Sequence, residues 1–101
     1  MKNLVLVVNA GLHQAVTDAL RTLEVKVFTV AHVEGHGTQP ASEERLSARD
    51  RVVGFVPRVR IDILLADKEV DKVVSALSAP GAALSGHGTY WVSPVERDGA
   101  F

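Results

Sequence analysis

Phe55-Val56-Pro57-Arg58-Val59-Arg60-Ile61-Asp62-Ile63-Leu64-Leu65-Ala66-Asp67-Lys68-Glu69-Val70-Asp71-Lys72-Val73-Val74 changes its hydrophobic period halfway along. In the first half Val59, Ile61, Ile63 and Leu65 point one way, and Arg58, Arg60 and Asp62 point the other. That alternation predicts a strand over about Arg51 to Ala66. In the second half Val70, Val73, Val74 and Leu77 follow the i, i+3, i+4, i+7 spacing of a helix face, with Asp67 placed to cap it. Pro80-Gly81 ends that helix.

The same strand-then-helix unit occurs upstream. Leu4 to Val8 is a short apolar run, read as a strand buried on both faces. Leu12, Val16, Leu20 and Leu23 then give a helix over about Leu12 to Leu23. Val25 to Val33 reads as a second strand, with Val27, Thr29, Ala31 and Val33 on one side. Thr38 to Asp50 is polar and unpatterned, a long exposed loop, and Thr89 to Pro94 is a final strand. The order βαββαβ predicts an α+β, ferredoxin-like domain over residues 1–101. Its two helices cover one face of a four-stranded antiparallel sheet. The first strand is apolar on both faces, so the other face calls for a second cover, most simply another copy of the chain. Arg58, Arg60 and Asp62 on that face need partners, because an unpaired buried charge is costly.

Composition narrows the function classes. The net charge of −1 gives no electrostatic case for nucleic acid or an acidic membrane surface. The absence of cysteine removes disulfides, thiolate metal sites and thiol catalysis. The apolar run near the N-terminus is too short for a signal segment or a membrane span, which leads to the expectation of a cytoplasmic protein. No Ser-His-Asp or paired-carboxylate arrangement is legible, and Glu43, Glu44 and Asp50 lie in the long loop, so the chain does not read as an enzyme.

One tetrapeptide occurs twice: Gly35-His36-Gly37-Thr38 and Gly86-His87-Gly88-Thr89. Glycines flanking one residue let backbone N–H groups converge on an anion, and let a ligand approach the main chain. The plainer reading of each is a turn that ends a strand, and Gly-x-Gly alone is a weak signal.

Phe55 to Ile63 and Ala66 to Val74 closely resemble the central strand and following helix of PII signal-transduction proteins. Thr29 to Gln39 and Gly86 to Val92 resemble that family's two glycine segments. The resemblance runs from about Leu4 to Val95. It implies a homotrimer with adenine nucleotide bound between subunits, and a T-loop, here about 38–51, that meets a target protein. A second glycine loop lies at about 81–89. Carried over residue by residue, it implies nucleotide contacts at Val7, Thr29, Gly35, Gly37, Thr38, Gln39, Asp62, Leu64, Gly86, His87, Gly88 and Thr89. Gln39 and Arg58 would hold an anionic effector, and a guanidinium suits a planar carboxylate or bicarbonate. On the residues alone, Arg58 is equally readable as an ion-pair partner of Asp62, and Arg60 as a subunit-interface charge.

The departures from the family pattern are informative. Thr38 and Thr89 stand where the family has basic residues, and the late basic segment has no counterpart, Arg97 being the last cation. Fewer cations weaken a triphosphate most, which favours ADP or AMP over ATP. Leu46 to Arg51 replaces the family's tyrosine-containing T-loop signature, with Arg51 at the modifiable tyrosine. This combination is similar to the short-tailed, carboxysome-associated PII-like proteins, a resemblance that implies bicarbonate as effector, no required metal and a partner in inorganic-carbon metabolism. The alternative reading is a metal-binding trimer of the same fold using His36 and His87, with His32 nearby. His13 reads as a solvated helix residue.

Overall fold

A computed structural model describes residues 1–36, 55–82 and 84–101. Four strands and two helices follow in the order β1 (Lys2–Asn9), α1 (His13–Thr22), β2 (Thr29–Gly35), β3 (Val56–Leu65), α2 (Asp67–Ser78) and β4 (Thr89–Pro94). A short 3-10 turn, Ala10–Leu12, leads into α1. It starts where Asn9 accepts a hydrogen bond through Oδ1 from the Gly11 amide at 2.9 Å. The strands form one antiparallel sheet in the order β2-β3-β1-β4. This is the ferredoxin-like α+β fold expected from the βαββαβ pattern.

The core lies between the helices and one sheet face. Leu4, Leu6 and Val8 of β1 and Val59, Ile61 and Ile63 of β3 meet Val16 and Leu20 of α1 and Val73 and Leu77 of α2. The alternation in β3 falls as expected, with the register Leu4↔Ile63, Leu6↔Ile61 and Val8↔Val59 stacking the apolar set in rows. On the other face Val5 is 1% exposed although no helix covers it. It sits between its cross-strand neighbours Asp62 and Trp91. Part of the second cover that the sequence called for therefore comes from the chain itself.

Two boundary expectations are corrected. The second strand starts at Thr29, not Val25. The Glu24 amide donates to the Arg21 carbonyl and the Val25 amide to the Leu20 carbonyl, each at 2.9 Å, which is the Schellman arrangement closing α1. Glu24 occupies the left-handed position, with φ 64°. Val25 is consequently drawn into the core beside Leu20, while Val27 is 82% exposed. Asp67 does not cap α2 from outside. It is the first helical residue, and its Oδ1 accepts the Met1 ammonium at 2.9 Å while Lys2 Nζ stands 3.9 Å from Oδ2. The ammonium holds the Asp67 carboxyl below its ordinary range. Asp67 and Glu69 in the first turn also complement the helix dipole. Among the described residues no helix is long and apolar enough to cross a membrane.

Candidate functional site

The open face of the sheet carries the polar residues of the even-numbered β3 positions. Asp62 is gripped by Arg60, with Nε to Oδ1 at 2.8 Å and Nη2 to Oδ2 at 3.2 Å. Asn3 Nδ2 donates to the same Oδ2 at 3.3 Å. The hydrogen bond from Arg60 lowers the Asp62 carboxyl pKa against the opposing effect of partial burial, with Asn3 assisting. The reciprocal effect raises Arg60. The Arg60 guanidinium also lies 5.5 Å from the centre of the Trp91 ring, across β1. The reading of Arg58 as the partner of Asp62 is therefore corrected: Arg60 engages both carboxylate oxygens, because its fork reaches them from the next same-face position. Asn3 and Trp91 were not singled out in the sequence. Asn3 carried no signal there, and Trp91 only its rarity as the single tryptophan.

Arg58 has a different neighbour. Its stem runs across Gly35, the last residue of β2, so closely that a Cβ at Gly35 would collide with Arg58 Nε and Cδ. Gly35 and Arg58 thus form one unit at the end of β2 that leads toward the T-loop positions. Gly37, Thr38 and Gln39, and the T-loop range 38–51, lie outside the described residues.

The remaining candidates fall into two groups. Thr29, Asp62 and Leu64 line a hollow on the open face with Asn3, Val27, Phe28 and Val95. Thr29 and Asp62 are cross-strand partners, so the pairing of β2 with β3 sets that grouping. Gly86, His87, Gly88 and Thr89 line a second hollow of about 220 Å³ beside β4, walled by Leu6, Val74, Leu77 and Tyr90. Its volume falls below the ~300 Å³ at which small-molecule pockets begin. Gly88 is required there on two counts. Its φ is +91°, and a Cβ would lie 2.8 Å from Val8 Cγ1 and 2.9 Å from the Val7 carbonyl oxygen. Val7 itself sits between Arg60 and Thr89 in the register of β1.

Topology determines how the two glycine turns relate. The first follows β2 and the second precedes β4. β2 and β4 are the two edge strands. Val7 pairs with Thr89, and Val56 with Gly35, so Gly35-His36 and the 86–89 turn lie at the end of the sheet where β1 finishes. Three inter-strand spacings separate them, about 14 Å across the sheet. One chain therefore does not bring them together. The same separation keeps His36 and His87 from sharing an ion, whose ligand nitrogens stand about 2.0–2.1 Å from it. His36 instead lies 3.2 Å from Glu34 Oε2, and the metal-binding alternative finds no support within the chain. Among the described residues no group of three or more potential metal ligands is gathered.

Comparison with known proteins agrees with this architecture. The sequence model of the family described as Nitrogen regulatory protein P-II matches residues 1–98. The chain is 36% identical over 83 residues to Nitrogen regulatory protein P-II of Cereibacter sphaeroides, covering 81% of this chain and 74% of that protein. It is 29% identical over 98 residues to Nitrogen regulatory protein GlnK of Escherichia coli K12, covering 96% and 88%. Identity to the P-II protein of Azospirillum brasilense is 31% over 83 residues, covering 81% and 74%. Proteins of this family are regulatory and non-enzymatic, in keeping with the absence of a legible catalytic arrangement. On the match to residues 1–98 and the ferredoxin-like sheet together, the chain belongs to the P-II family of nitrogen regulatory, signal-transduction proteins.

Proposed function

We propose that this P-II family protein is a homotrimeric sensor that binds adenine nucleotide, ADP or AMP in preference to ATP, between neighbouring copies. The reading is supported by Gly35-His36, the described start of the first tetrapeptide, and Gly86-His87-Gly88-Thr89 lying at opposite edges of one end of the sheet. Thr29 and Gly35 lie on the β2 edge, Thr89 with the preceding Gly86, His87 and Gly88 on the β4 edge, and Val7, Asp62 and Leu64 on the inner strands β1 and β3. A cyclic assembly that sets the β4 edge of one copy near the β2 edge of the next unites them. Val7, Thr29, Asp62 and Leu64 then serve the base and ribose, and the two glycine turns with Thr38 and Thr89 serve the phosphates. Neutral threonines at the phosphate end favour the shorter phosphate chains.

The second signal in this proposal is a small planar anion, bicarbonate. Arg58 lies over Gly35, at the start of the segment that carries Gln39. A forked guanidinium there, joined by the Gln39 amide, suits a carboxylate-like ion. Occupancy orders the T-loop at about 38–51, and a partner in inorganic-carbon metabolism reads that order. No metal is needed for this arrangement, and the whole of residues 1–101 acts as one domain.

Calorimetry with ATP, ADP and AMP, each with and without bicarbonate, tests the proposal. Expected are ADP or AMP binding at least as tight as ATP, and a bicarbonate response that Arg58→Ala abolishes. Chloride and 2-oxoglutarate serve as controls. Clear preference for ATP, or an undiminished bicarbonate response in Arg58→Ala, refutes the corresponding part.

A further inference from the structure

His13 and His32 lie far apart in sequence but meet in space. His13 opens α1, and His32 stands on β2 at a position paired with Val59, on the sheet face that the helices cover. Their ring centres are 5.7 Å apart, with the rings nearly perpendicular at 79°. Neither imidazole makes a hydrogen bond or ion pair with a described residue. In this they differ from His36, held by Glu34, and from His87, which also has a partner. His32 is exposed and His13 half-buried, so solvent reaches the pair.

We propose that His13 and His32 form a two-imidazole site for a first-row transition cation such as Zn²⁺. The separation fits. A ligand nitrogen sits about 2.0–2.1 Å from zinc, which puts each ring centre about 3.2 Å from the ion and two tetrahedral ligands about 5.2 Å centre to centre. The observed spacing is within about 0.5 Å of that value, close enough for small side-chain rotations to close the gap. Among the described residues no third ligand is gathered here, and water completes the coordination. Glu34, two residues along the same strand face, is the nearest same-face carboxylate on β2 and at present faces His36. A bound ion would join the start of α1 to the edge strand that leads to the first glycine turn. The site shares no residue with the proposed nucleotide and anion sites and stands or falls independently of them.

The test is calorimetric titration of Zn²⁺ into the full-length, nucleotide-free protein at pH 7.5, repeated with His13→Ala, His32→Ala and His87→Ala. Both positions are at the surface, and circular dichroism checks that the variants fold. The expected result is one saturable site per chain, weakened at least tenfold by either His13→Ala or His32→Ala. The ring resonances of both histidines should shift together on titration. Absence of saturable binding overturns the proposal, as does binding that survives both substitutions. Binding that depends on His87 in place of His13 and His32 overturns it as well.

Discussion

Two glycines of the repeated tetrapeptide are needed for different reasons. At Gly88 an added Cβ meets the Val7 backbone and the left-handed φ is itself unfavourable. Gly88→Ala should lower stability by about 1–3 kcal/mol, measured by urea unfolding. At Gly35 the collision is with the flexible Arg58 side chain, which can move aside. Gly35→Ala should therefore cost under about 1 kcal/mol yet displace Arg58 and remove the anion response. A loss in Gly35→Ala as large as that in Gly88→Ala would show that Arg58 is rigidly held. The Arg60–Asp62 pair makes a pH prediction. The folded pKa of Asp62 is depressed, so its stabilising contribution is present above the unfolded value of about 3.9 and is lost as pH falls through the folded value. Asp67 contributes in the same sense through the Met1 ammonium. Asp62→Asn should flatten the acid limb of the stability profile. The effect is modest, because the Asp62 side chain is 35% exposed and solvent screens the pair.

The end of α1 separates pattern from packing at the level of elements. Glu24 takes the position that glycine usually fills in a Schellman closure. Glu24→Gly should stabilise the protein by up to about 1 kcal/mol, the left-handed strain removed less the extra chain entropy of glycine, read from the thermal midpoint. Stability that falls in that variant would mean that the Glu24 side chain contributes more than its backbone strain removes. The strand boundary makes a paired prediction. Val27→Ala, at an exposed connector position, should change stability by less than about 0.5 kcal/mol, whereas Leu20→Ala, fully buried, should cost about 2–5 kcal/mol. The helix periodicities and the β3 alternation were legible because long amphipathic elements repeat the same choice many times. The start of β2 was not, because Val25 and Val27 look alike in sequence, and only the chain reversal after α1 separates a core residue from a solvated one.

For the whole molecule, β2 and β4 are the edges of the sheet formed by the described residues, and apolar side chains stay in view. Tyr90, Trp91 and Val92 on β4 are 56%, 45% and 39% exposed, and Leu64 on the open face is 45% exposed. The proposed trimer covers part of this surface. Trp91, the only tryptophan, provides an intrinsic probe. Its emission should be blue-shifted at micromolar concentration and move to the red, together with loss of mass by light scattering, on dilution far enough to dissociate the assembly. A monomer at micromolar concentration would remove the basis for a site shared between copies.

Element order, helix faces, the alternation of β3 and, through these, the ferredoxin-like class are written in the local residue pattern. Each of these follows from a local period of 2 or 3.6 residues. The sequence also marked the repeated Gly-His-Gly-Thr turns as a matched pair. Folding in three dimensions was needed to show that Asp62 belongs to Arg60 and Asn3, that Arg58 lies over Gly35, and that His13 meets His32. It alone placed Gly35-His36 and the 86–89 turn at opposite edges of one sheet. Those relations depend on strand order and register, which bring together residues dozens of positions apart, and no local period carries that information.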